Sequence, residues 1–94
     1  MNVTVQLEAQ LQQAAGHREV QTKLPDGSTL LTLLQQVAVG GGDAFRDRLF
    51  DAEGHLLSTT LLFVNEQPVS TEASSTHALT DGDVVLLLPP ISGG

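Results

Sequence analysis

The chain has 94 residues, a length for one domain, with no cysteine and a formal net charge of −7. The missing thiols exclude disulfides, thiolate zinc sites, iron–sulfur clusters and a thiol nucleophile, and the acidity argues against a nucleic-acid partner. With 40% hydrophobic residues the chain reads as a folded globule. At this size it buries roughly 60–65% of its unfolded surface, enough for one core and no deep cleft. No apolar run approaches the roughly 20 residues of a bilayer span. The opening Met1-Asn2-Val3-Thr4-Val5 has neither a basic nor an apolar signal region, so the expected location is the cytoplasm, with no membrane partner.

Val3, Val5 and Leu7 alternate with polar residues and predict a half-buried strand. Leu11 to Gly16 read as a connector ending in a turn residue, and Val20, Thr22 and Leu24 as a second strand pairing antiparallel with the first. Pro25-Asp26-Gly27-Ser28 breaks the chain, with Ser28 or Thr29 as a helix cap. Leu30, Leu33, Leu34 and Val37 fall on one face of a helix over roughly residues 29–39, stopped by Gly40-Gly41-Gly42. Asp43 is placed to cap a short second helix that turns Phe45 and Leu49 inward. Asp51-Ala52-Glu53-Gly54 reads as a turn and Leu61–Val64 as a buried strand. Asn65-Glu66-Gln67-Pro68 is a turn before a short edge segment at Val69. After the Asp81-Gly82-Asp83 turn, Val84–Leu88 is apolar throughout and predicts a central strand. This order gives an α+β layout with the main helix on one sheet face. Placing the last strand beside the first, mid-sheet, makes it a β-grasp, ubiquitin-like mixed sheet. The expected division is a domain over 1–88 and an extended tail over 89–94.

Three stretches carry a family resemblance: Asp26-Gly27-Ser28-Thr29-Leu30, Phe63-Val64-Asn65, and above all the run from Asp81 through Pro89-Pro90-Ile91-Ser92-Gly93-Gly94. The sequence resembles the ubiquitin-like sulfur carriers of the MoaD/ThiS type, and its ending looks most like that of the molybdopterin synthase small subunit. Two positions depart from the family pattern. Glu66 stands where relatives often have Gly, and Val84 replaces an acidic residue.

The resemblance implies that the carboxylate of Gly94 is the reacting group. An adenylating enzyme of the ubiquitin-activating type, using ATP, converts it to an acyl-adenylate. A sulfur donor then turns it into a thiocarboxylate. The catalytic subunit of molybdopterin synthase, or another sulfur-accepting synthase, takes the sulfur. Gly93 and Gly94 have no Cβ, so backbone can approach a nucleotide phosphate closely. Pro89 and Pro90 stiffen the exit, and from Pro89 to Gly94 the segment reaches about 20 Å at full extension. Pro89, Pro90, Ile91 and Ser92 are expected to thread the partner. The chain is then a co-substrate with no bound cofactor of its own.

The apolar strands must face something on the side away from the helix. Leu61, Phe63, Val85 and Leu87 are the expected partner-docking residues. Other signals are weaker. His17, His55 and His77 share no ligand spacing, so no metal site is expected. Asp51–Gly54 lacks the EF-hand ligand series, and Ser92 has no base beside it. Lys23 is the only lysine and the only side-chain amine for conjugation. Three functions stay open: a sulfur carrier for molybdopterin, thiamine, cysteine or another metabolite; a protein modifier joined through Gly94; and a plain interaction module.

Overall fold

Alternating side chains build the first strand, β1 (Asn2–Leu7), with Val3, Val5 and Leu7 fully buried. The structure is a computed structural model that describes residues 1–88, Ala9 by its backbone only. The calls on Pro89, Pro90, Ile91, Ser92, Gly93 and Gly94 lie outside the described residues. The stretch read as a connector is a short helix, α1 (Ala9–Ala15). Leu11 is its buried anchor, and Gly16 closes it in the left-handed conformation, its amide donating to the Gln12 carbonyl at 2.9 Å. The chain returns as β2 (Glu19–Lys23), antiparallel to β1 with Val3 opposite Thr22 and Val5 opposite Val20.

The main helix, α2, runs Leu30–Gly41. Of the two candidate caps, Thr29 takes the role, its hydroxyl accepting the Thr32 amide at 3.3 Å. Ser28 instead closes the preceding turn by donating to the Pro25 carbonyl at 2.7 Å. Leu30, Leu33, Leu34, Val37 and Ala38 form the buried stripe. Gly40 and Gly41 remain helical, and the stop comes at Gly42, with φ +87°. A second short helix, α3 (Asp43–Leu49), buries Phe45 and Leu49 as expected. Gly42 rather than Asp43 is its cap residue.

The Asp51–Gly54 turn is held by its own carboxylate: Asp51 Oδ1 accepts the amides of Glu53 and His55, each at 2.9 Å. Then follow β3 (Leu61–Val64), β4 (Gln67–Val69), a 3-10 turn over Glu72–Ser75 that the sequence reading did not anticipate, and β5 (Val84–Leu88). The sheet order is β2-β1-β5-β3-β4. β5 is central, parallel to β1 and antiparallel to β3, and β4 with Pro68 forms one edge. This is the β-grasp arrangement, with the helices on one face of a mixed sheet.

Two of the expected docking residues are placed otherwise. Val85 and Leu87 are fully buried and belong to the core. They sit beside Val5 and Leu7 in register, so they share the inward face of β1. Strand side chains alternate, so the outward set of β5 is Val84, Leu86 and Leu88. Leu61 and Phe63 lie on that same outer face, Leu61 at 38% exposure. No helix among the described residues is long and apolar enough to cross a membrane.

Candidate functional site

The outer sheet face is built by register. Phe63 faces Leu86 on one side and Pro68 on the other, and Leu61 faces Leu88. Leu86 lies beside Gln6, and Val84 beside Thr4. The face is therefore split. Strands β5, β3 and β4 present Val84, Leu86, Leu88, Leu61, Phe63 and Pro68. Strands β1 and β2 present polar residues, with the Thr4 hydroxyl donating to Gln21 Oε1 at 3.0 Å and Gln21 Nε2 donating to Glu19 at 3.2 Å. Strands β5 and β3 are each bonded on both flanks, so their main-chain polarity is satisfied and their apolar side chains remain open. A depression of ≈ 580 Å³ lies on it, lined by Gln6, Phe63, Asn65, Glu66, Val84 and Leu86.

One end of this face is fixed by a polar clamp. Asp83, 8% exposed, accepts at Oδ1 from Asn65 Nδ2 at 2.8 Å and from the Thr80 hydroxyl at 2.9 Å. Its Oδ2 accepts the Thr80 amide at 2.8 Å. Asn65 in turn accepts the Val84 amide at 2.9 Å through its side chain and donates its own amide to the Val84 carbonyl at 2.8 Å. Burial pushes the Asp83 carboxyl up. Hydrogen bonds from the Thr80 amide, the Asn65 amide group and the Thr80 hydroxyl, with attraction from His77, outweigh it and hold the carboxyl below its ordinary value. The clamp locks the β3–β4 turn to the start of β5.

At the other end, β5 is held to its last residue. The Glu8 amide donates to the Leu87 carbonyl at 3.3 Å, and Leu88 is paired with Leu61. Leu88, the last described residue, thus ends a strand held on both sides, at the margin of the apolar face. Lys23 sits exposed on edge strand β2, remote in register from β3 and β4. The other amine of the chain, at Met1, is engaged: it donates to the Leu24 carbonyl at 2.7 Å and lies 3.5 Å from Asp26.

The sequence reading chose the correct parity on β3 and the wrong one on β5. It missed Val84, Leu86 and Leu88. The uninterrupted apolar run carries no period to separate the two faces, and only the pairing with β1 does so. His17, His55 and His77 are not brought together, and no group of His, Asp and Glu suited to a metal ion occurs among the described residues.

The ThiS family model matches residues 5–94. The chain belongs to the ThiS family. Its fold is shared with solved ubiquitin-like carriers and modifiers. SAMP1 from Haloferax volcanii superposes with a TM-score of 0.88 at 26% identity, covering 100% of both chains. A putative molybdopterin converting factor subunit 1 from Pyrococcus furiosus gives 0.73 at 27%, covering 97% of this chain and 99% of that one. A chain of the BexX/CysO complex of Amycolatopsis orientalis gives 0.76 at 27%, covering 98% and 99%. No curated protein matches the chain. This ThiS-family chain is thus a ubiquitin-like β-grasp protein of the sulfur carrier and modifier group.

Proposed function

We propose that this protein is a sulfur carrier whose reacting group is the carboxylate of Gly94, serving the synthesis of a sulfur-containing cofactor, with molybdopterin the first candidate. The observation that carries the reading is the family match through residue 94, which takes in Gly93-Gly94 and joins them to a fold whose central strand feeds residues 89–94 directly. A carboxylate is a poor acyl donor. Adenylation by a partner, with the carboxylate oxygen attacking the α-phosphorus of ATP and pyrophosphate leaving, makes it reactive. A sulfide-level nucleophile then adds at the carbonyl carbon, AMP leaves, and a thiocarboxylate remains. Pro89, Pro90, Ile91 and Ser92 span the distance into the partner's channel, while the outer sheet face docks the body. ATP belongs to the activating enzyme; the carrier supplies backbone alone.

The similarity to SAMP1, a small archaeal modifier protein, supports a second reading in which an amine on a target protein displaces AMP. The test for both is the intact mass of the protein incubated with its genome's adenylating enzyme, ATP and sulfide. The expected result is an oxygen-for-sulfur shift confined to the peptide ending in Gly94 and absent when Gly94 is deleted. An isopeptide bond to lysine, with no thiocarboxylate, moves the assignment to the modifier. No change at the carboxylate refutes both.

A further inference from the structure

Glu66 holds a backbone conformation that its own side chain makes costly. The β3–β4 connection is a two-residue turn with φ +50° at Asn65 and +71° at Glu66. Two successive left-handed residues suit Asn followed by Gly, because a Cβ at the second position crowds the carbonyl. Asn65 recovers its cost through its bonds to Asp83 and Val84. Glu66 recovers nothing among the described residues. It is exposed, and its side chain makes no hydrogen bond or ion pair among the described residues. Strain held without internal return points outward, to a contact made elsewhere.

Its position says where. Glu66 lines the ≈ 580 Å³ depression on the outer face with Phe63, Val84, Leu86, Gln6 and Asn65, and none of these lining residues is basic. It lies by the start of β5, while Leu88, the last described residue, stands at the other end, about 13 Å further along the strand. The Asp83 clamp fixes the turn, so the carboxylate is presented from a rigid base.

We propose that Glu66 is the charged anchor of the outer sheet face, meeting an arginine or lysine of the adenylating enzyme and fixing how that enzyme is oriented over the apolar strip. This rests on the carrier reading. With the tail held at one end of β5 and a charge at the other, the apolar strip between them has one way to lie. The net charge of −7 favours the same basic partner surface.

The test uses the full-length chain, its Glu66→Gln and Glu66→Gly variants, and the adenylating enzyme of the same genome. ATP–pyrophosphate exchange gives KM and kcat for the protein substrate, and direct titration gives Kd. Glu66→Gln removes charge and keeps the turn: KM and Kd rise about two- to fivefold, kcat stays, and the difference vanishes at high salt. Glu66→Gly relieves the turn: the thermal midpoint rises by about 4–8 °C while KM rises as in the glutamine variant. Unchanged KM and Kd in Glu66→Gln overturn the inference and leave the carrier reading standing. Binding without adenylation ends the carrier reading, and the three Kd values then decide Glu66 alone. No binding of the parent chain removes the partner named here and overturns the inference.

Discussion

Asp83 is where one side chain does most to hold the site. Its carboxylate answers three donors, two of them from Thr80 and one from Asn65. Asp83→Asn places an amide among those donors, so one bond becomes a donor–donor clash; the expected loss is about 2 kcal/mol in urea unfolding. The pH dependence has a definite sign. The folded carboxyl is held below its ordinary value by these hydrogen bonds, so its stabilisation is full above the unfolded value and is lost as pH falls through the lower folded one. Acid unfolding below about pH 4 should therefore be shallower in Asp83→Asn than in the parent. The Asp81-Gly82-Asp83 turn was legible in the sequence as punctuation. That its last residue would be a buried clamp was not, because its partners Asn65 and Thr80 are brought to it by the fold.

At the scale of elements, α2 was legible almost to its ends, since Leu30, Leu33, Leu34 and Val37 repeat with the helical period and all four are buried. The glycine run was harder. Three identical letters conceal three environments. A Cβ at Gly40 meets nothing within 4 Å, whereas one at Gly41 would lie 2.5 Å from Phe45 Cδ2. Gly40→Ala should raise stability by about 0.5–1 kcal/mol through helix propensity. Gly41→Ala should lower it by about 1–3 kcal/mol as Phe45 is pushed from its place. Thermal melts of the two single variants check the pair, and equal shifts would refute the packing argument. Helix α1 escaped the sequence reading because seven residues with one buried leucine show no repeat, and its Gly16 stop reads equally well as a hairpin turn. On β5 the same lack of period hid which residues face out.

For the whole molecule, one sheet supplies both the core and an open apolar face, and β5 contributes to each with alternate side chains. Changing the two sets should give opposite results. Leu86→Glu on the outer face should leave the fold intact by circular dichroism and abolish adenylation by the partner. Leu87→Glu, one residue on, buries an unpaired charge and should leave no folded protein, since such a cost exceeds about 4 kcal/mol in a domain of ordinary stability. If Leu86→Glu is adenylated as well as the parent, the outer face is not the docking surface. The parallel pairing of β1 with β5 has a mechanical consequence as well. A partner that holds residues beyond Leu88 and pulls does so along the axis of a strand bonded on both flanks. That load falls in shear on both ladders together, instead of on a single ladder as it would at an outer strand. A pull applied beyond Leu88 is thus opposed by two ladders at once.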